Sequence, residues 1–190
     1  MKYVTITVMK KVLENEIIKA INNNEIVIMP TDTVYGLMVK ANAKNEKRLN
    51  KFKNRPESTK VSIIFPTIED ALQVIDNLSE DRIKMICDKL PGKYTFIVNL
   101  KESFYQKLGF TRQDYGIRVT NNTALQEVLK KTGPVLATSC NFSKEDICTN
   151  YEEIANIFDN YDIKVYYTVP GSNNASTIID LTKEKISQLR

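Results

Sequence analysis

The stretch that most constrains this chain is an unbroken apolar run, Ile26-Val27-Ile28-Met29, followed at once by Pro30-Thr31-Asp32-Thr33-Val34-Tyr35-Gly36-Leu37. The run has no polar alternation, which suits a central strand covered on both faces. Proline then ends it and delivers hydroxyls, a carboxylate and a glycine into a confined turn. Thr31, Thr33 and Tyr35 alternate, so on an extended segment they share one face. Such hydroxyls either satisfy their own backbone at the strand end or hold a small polar ligand. Gly36 reads as a backbone requirement rather than a ligand contact. About one helix later, Lys53-Asn54-Arg55-Pro56 and Lys60 bring three cations towards the same end. They form either a solvated basic face or a phosphate site, for which arginine offers a planar fork and lysine a compact charge.

The rest of the chain arranges itself around this stretch. Tyr3 to Val8 alternates like an opening strand, and Leu13, Ile17 and Ile21 mark a one-faced helix ending in Asn22-Asn23-Asn24. Ala43–Lys53 reads as a polar helix anchored by Leu49 and Phe52 and stopped by Pro56. Val61–Phe65 is a short buried strand, and Thr67 with Asp70 opens a helix through Ile75. Ile83, Ile86, Cys87 and Leu90 fall on one face of a helix ended by Pro91-Gly92, with Cys87 as a small buried hydrophobe. Tyr94–Leu100 and Gly116–Thr120 are strands, and Lys101–Asp114 between them reads as a less regular, mobile excursion. Asn121 or Asn122 caps a helix carrying Leu125, Val128 and Leu129, which Gly133 closes. Pro134–Thr138 is a strand running into Ser139-Cys140-Asn141. A short helix near Tyr151–Phe158 precedes strands near Lys164–Thr168, Ser176–Leu181 and Ile186–Leu189. Alternating strands and helices, then consecutive strands, imply an α/β fold with a mixed, twisted sheet.

Composition narrows the chemistry. A chain of 190 residues suits one domain spanning 1–190, and about 70% of its unfolded surface can be buried at that size. There is no histidine, which removes histidine triads, most zinc sites and imidazole acid–base chemistry. Cys87, Cys140 and Cys148 form no C-x-x-C pair and imply free thiols in a reducing compartment. No apolar run approaches the ~20 residues of a membrane helix, and the N-terminus lacks a signal-peptide pattern, so a cytoplasmic protein is expected. The net charge of +4 fits an anionic small substrate or weak contact with RNA. Neither G-x-G-x-x-G nor G-x-x-x-x-G-K-[ST] occurs, which argues against a dinucleotide fold or a P-loop.

Pro30–Leu37 with Lys53-x-Arg55-Pro56 resembles the YrdC/TsaC family of threonylcarbamoyl-AMP synthases, in its short single-domain branch. Gly116-Ile117-Arg118-Val119, Thr138-Ser139-Cys140-Asn141, Ala175–Asp180 and the terminal Arg190 continue the likeness in the family's order across nearly the whole chain. The resemblance implies a single YrdC-like domain with flanking helices and a concave basic cleft. It implies that L-threonine, bicarbonate and ATP give threonylcarbamoyl-AMP and pyrophosphate. The product would serve tRNA modification at the adenosine beside the anticodon, through a separate threonylcarbamoyl transferase complex. By the same resemblance, Thr31, Arg118, Thr138 and Ser176 bind threonine, and Lys53, Arg55, Lys60, Ser139, Asn141 and Arg190 bind ATP. Magnesium is expected to arrive with ATP, on ligands the sequence does not identify; no zinc and no organic cofactor are expected. No residue is assigned as a general acid, base or nucleophile.

This chain departs from the family at several points. Arg55 and Lys60 stand one residue further apart than is common, so Glu57-Ser58-Thr59 carries an insertion. Phe65 stands where many longer relatives carry histidine, and Ser143-Lys144 where Ser-Gly is frequent. Cys140 occupies a position that is usually alanine; without a histidine to activate it, it reads as a small residue in a tight place. Two other readings compete. One is a non-catalytic module gripping structured RNA through a basic surface, against which the hydroxyl motif argues. The other is a carbamoyl-transfer domain like that of hydrogenase maturation, against which the absence of zinc-finger cysteines argues.

Overall fold

The computed structural model describes residues 14–158, 160, 161, 163–165, 172 and 174–190. The strand expected at Tyr3–Val8 and the end of the one expected at Lys164–Thr168 lie outside them. Residues 14–22 form α1, whose Ile17 and Ile21 are buried. The α1 helix ends at Asn24, in left-handed conformation (φ 62°), with the Glu25 N–H returning to the Ala20 carbonyl. The apolar run becomes β1 (Val27–Pro30), buried at every position. A turn of residues 31–34 leads into β2 (Tyr35–Lys40), antiparallel to β1 with Pro30 opposite Tyr35. The hydroxyl motif is thus a hairpin turn rather than an extended segment, and Tyr35, at the start of β2, is buried in the core.

Helix α2 (Ala43–Phe52) is capped by Asn42, whose side chain accepts the Asn45 N–H. Its stop is not Pro56. Asn54 takes the left-handed conformation (φ 51°), its N–H bonds the Lys51 carbonyl, and the Arg55 N–H reaches back to Asn50. These two bonds satisfy the free carbonyls of the last turn before proline is reached. Strand β3 (Ser62–Phe65) and helices α3 (Ile68–Val74) and α4 (Glu80–Lys89) follow. Thr67 caps α3 as expected. On α4, however, Ile86 is buried while Ile83 is 37% exposed and Cys87 is exposed. Cys87 lies about 100° around the helix from Ile86, so a narrow contact with the sheet leaves it outside.

Strand β4 (Tyr94–Asn99) leads to α5 (Glu102–Lys107) and β5 (Asp114–Val119). The segment 101–114 is therefore more regular than its sequence suggests. Phe104 and Tyr105 of α5 pack on the core, and Phe110 is buried against Tyr115 with ring centroids 4.5 Å apart. Helix α6 (Thr123–Thr132) is capped by Asn122 and closed by Gly133 at φ 76°. Strand β6 (Val135–Ser139), helix α7 (Tyr151–Phe158) and strands β7 (Lys164–Val165), β8 (Thr177–Asp180) and β9 (Ser187–Gln188) complete the elements.

The nine strands of the described residues join one twisted mixed sheet in the order β7-β1-β2-β6-β3-β5-β4-β8-β9. Val27, Met29 and Ile64 point to the face covered by α1 and α6. Ile28, Ile63 and Ile117 point to the other, under α2, α3, α4 and α7. Each fully buried leucine or isoleucine contributes roughly 1.5–3 kcal/mol, so the sheet is fastened from both sides. No helix among the described residues is long and apolar enough to cross a membrane. The registers set the site: Gly36 lies opposite Ser139, Ser62 opposite Gly116 and Ala137, and Ile64 opposite Arg118.

Candidate active site

At one end of the sheet, the 31–34 turn, the loop after α2 and the ends of β3, β5, β6 and β8 enclose a cleft of about 240 Å³. Among the described residues four cations line it, Arg55, Lys60, Arg118 and Arg190, and no aspartate or glutamate does. Thr31, Thr138, Ser139 and Ser176 also line it. Lys53 and Asn141 do not; they stand behind its wall.

The turn holds itself together. The Thr31 hydroxyl donates to the Val34 carbonyl at 2.7 Å and accepts the Thr33 N–H at 3.0 Å. The Thr33 hydroxyl, 2.9 Å away, must then donate to it. Both threonines are buried. Backbone satisfaction and cleft lining thus coexist at Thr31: its oxygen is committed to the turn, and the side chain still faces the cavity. Gly36 keeps extended strand angles, and its lack of a side chain leaves room. A Cβ there would meet Met38 Cε at 2.9 Å and Thr31 Cγ2 at 3.6 Å.

Arg118 rises from β5 and is 7% exposed. Its Nη2 donates to Asp32 Oδ1 at 2.6 Å, and Thr120 donates to the same oxygen at 2.6 Å. Burial pulls the guanidinium pKa down, while the Asp32 carboxylate offsets this. Its Nε is buried without an acceptor among the described residues.

Arg55 is held by Asn50 through Nε (2.7 Å) and by the Thr138 hydroxyl through Nη1 (3.3 Å). Its Nη2 is buried and has no acceptor among the described residues. An unpaired buried donor is costly, about 1–3 kcal/mol, unless a ligand completes it. Lys60 lines the cleft but pairs with Asp114 and is half exposed. Arg190 is pinned by the last strand pair: its carbonyl accepts the Ile178 N–H, and its Nε donates to the Ser176 carbonyl at 3.0 Å.

Lys53 turns inward. Its ammonium donates to the Ser139 carbonyl at 2.7 Å and to Asn141 Oδ1. Burial, with Arg55 nearby, pulls its pKa down to about 8. Asn141 also accepts the Ser139 hydroxyl at 2.8 Å and donates to the Glu145 carbonyl at 2.7 Å. Lys53 and Asn141 therefore shape the end of β6. Cys140, between Ser139 and Asn141 in sequence, is wholly buried, and its hydrogen bond with Cys148 and its burial push its thiol pKa up, the reverse of an activated nucleophile.

Two polar lining residues were not singled out from the sequence. Thr95 on β4 shares a 2.8 Å hydrogen bond with Ser176, and Ser62 on β3 stands beside it across Gly116. A Cβ on Gly116 would meet Ser62 Oγ and Thr95 Cγ2, each at 2.9 Å, so the glycine makes the cleft floor possible. For Thr95 the faint signal was a threonine beside the apolar run 96–98.

The Sua5/YciO/YrdC family, described as telomere recombination, matches residues 19–190. A protein of Methanocaldococcus jannaschii, provisionally named threonylcarbamoyl-AMP synthase, is 33% identical over 186 residues, 95% of this chain and 86% of its own length. Threonylcarbamoyl-AMP synthase of Aliivibrio fischeri is 25% identical over 171 residues, covering 87% of this chain and 91% of that protein. Among solved structures, P. abyssi Sua5 complexed with L-threonine aligns with a TM-score of 0.78 at 22% identity. That alignment spans 93% of this chain but 54% of the P. abyssi protein, and the likeness is one of fold.

Proposed function

The chain belongs to the Sua5/YciO/YrdC family, and from that premise we propose that it is an L-threonylcarbamoyladenylate synthase. The observation that carries the proposal is a pair of guanidinium groups, the half-buried Arg55 and the buried Arg118, each keeping a buried N–H without an acceptor among the described residues beside the same cleft. Two anionic groups, a carboxylate and a polyphosphate, match two such donors. The names of the relatives support the same activity.

In this reading Arg118 takes the carboxylate of L-threonine. The 31–34 turn walls that end, and Thr138, with Ser176 and its partner Thr95, lines it with hydroxyls. Arg55, Lys60 and Arg190 take the triphosphate of ATP beside Ser139. The threonine amine and bicarbonate form a carbamate with loss of water. A carbamate oxygen then attacks the α-phosphate, and pyrophosphate leaves with the electrons of the broken bond. The chain supplies positioning and charge rather than an acid, base or nucleophile, which suits a protein without histidine. Among the described residues no group of three acidic, histidine or cysteine side chains could hold a metal. Magnesium would enter as part of the ATP substrate, held largely by its phosphates. The product would pass to a separate transferase acting on tRNA.

The test is pyrophosphate release from ATP with and without L-threonine and bicarbonate. Release is expected only with both, and to fall when valine replaces threonine. A site that hydrogen-bonds a hydroxyl can reject its absence by ~10⁴ or more. Equal turnover with valine would remove the amino-acid assignment.

A further inference from the structure

Asn50 is wholly buried on α2, a helix whose other residues are mostly polar and charged. Its side-chain oxygen accepts Arg55 Nε at 2.7 Å. Its amide nitrogen donates to the Glu57 and Thr59 carbonyls, both at 2.9 Å. Two carbonyls need donors and Nε–H needs an acceptor, so only one orientation of the amide satisfies all three. Asn50 also accepts the Arg55 backbone N–H at 3.1 Å, so one residue holds Arg55 by its main chain and by its guanidinium. The carbonyl between, that of Ser58, accepts Arg112 Nη1 at 3.1 Å, and Arg112 is itself held by Glu46 at 2.5 Å. Three successive carbonyls of the turn between Arg55 and Lys60 are thus taken by side chains from elsewhere in the fold.

We propose that Asn50 is a positioning residue for Arg55, and that it acts by tying the 57–59 turn and the guanidinium to the same helix. The proposal rests on the nucleotide reading of the cleft. With Nε on Asn50 and Nη1 on Thr138, Nη2 is the nitrogen left to face an incoming phosphate, and Asn50 sets its direction. The turn of residues 57–59 presents the carbonyls that fix the amide. Ordering the fork before the nucleotide arrives removes that cost from binding.

A double-mutant cycle tests this, with magnesium ATP binding measured by calorimetry on the wild type, Asn50→Leu, Arg55→Lys and the double variant. Asn50→Leu is expected to weaken ATP by about tenfold, the scale of one hydrogen bond to a charged group. It should leave L-threonine affinity within about twofold and cost nothing more once Arg55 is lysine. Additive losses would overturn the proposal, because a merely structural asparagine would harm both backgrounds equally. A second readout needs no ligand: exchange of the Arg55 Nε proton in ¹⁵N-arginine-labelled protein, assigned by its absence in Arg55→Lys. It should be protected in the wild type and unprotected in Asn50→Leu; rapid exchange in the wild type overturns the proposal. If ATP fails to bind even the wild type, the nucleotide reading falls while the exchange measurement still decides the Asn50–Arg55 link. If Asn50→Leu does not fold, Asn50→Asp keeps the acceptor and should keep the Nε protection; its loss there also overturns the idea.

Discussion

At the scale of single residues, Arg55 and Lys53 show how two cations two positions apart are used in opposite ways. Arg55 keeps a buried N–H without an acceptor among the described residues; Lys53 spends its ammonium on Ser139 and Asn141. Arg55→Ala is expected to weaken ATP roughly ten- to a hundredfold, as losing a charge-assisted hydrogen bond of about 1.5–3 kcal/mol implies. Arg55→Lys should stay folded yet lose most activity, because the planar fork is gone. Lys130→Ala, which removes an exposed ion pair with Glu127 on α6, is the control and should change little in either assay. Lys53 carries a pH signature. Its native pKa is near 8, below the ~10.4 of an unfolded lysine. Between these values the unfolded chain holds more protons, so this group's contribution to stability rises with pH across the window. The contribution is complete above about pH 10.4 and is lost as pH falls through about 8. A neutral amine still has two N–H groups for its two acceptors. Urea midpoints from pH 7 to 10 should therefore show a rise in the wild type relative to Lys53→Met; parallel curves would contradict the role given to burial.

At the scale of elements, the end of α2 does the most for the site. Asn54 in left-handed conformation reverses the chain, so Lys53 faces inward while Arg55 returns over Asn50. Glycine adopts that conformation without penalty, and a β-branched residue resists it. Asn54→Gly is expected to leave stability within about 0.5 kcal/mol, whereas Asn54→Val should cost about 1–2 kcal/mol and weaken ATP as well. Thermal melting and calorimetry on both variants check this; a Val variant with wild-type ATP affinity would show that the helix end does not set Arg55. The contrast with α4 is instructive. Its apolar residues cover a wide arc, but the sheet offers only a narrow contact, so Ile86 is taken and Cys87 is left outside.

At the scale of the whole molecule, one sheet gathers segments far apart in sequence around a basic cleft, and substrates that bind only the native state should stabilise it. ATP and L-threonine, each at about a hundredfold above its dissociation constant, should each add about 2.7 kcal/mol, raising the melting temperature by roughly 5–10 °C apiece with no RNA present. Stabilisation by structured RNA but not by the small substrates would return the cleft to the RNA-binding reading. Much of this was legible in the chain alone. The run 26–29 specifies a strand buried on both faces because it has no polar position to offer water, and β1 is buried throughout. Asn122 and Gly133 specify the ends of α6 because capping and left-handed φ are local chemistry. Motif order identified the family for the same reason: short spacings survive in sequence. The outward turn of Cys87, the inward turn of Lys53, the joining of Thr95 to Ser176 and the grip of Asn50 on Arg55 were not legible. Each depends on which strand lies beside which, as when β4 pairs with β8 across some eighty residues, and on which polar groups are then left buried in need of a partner. Local propensity fixes neither; the packed sheet decides both, because a buried donor must find an acceptor wherever the fold has put one.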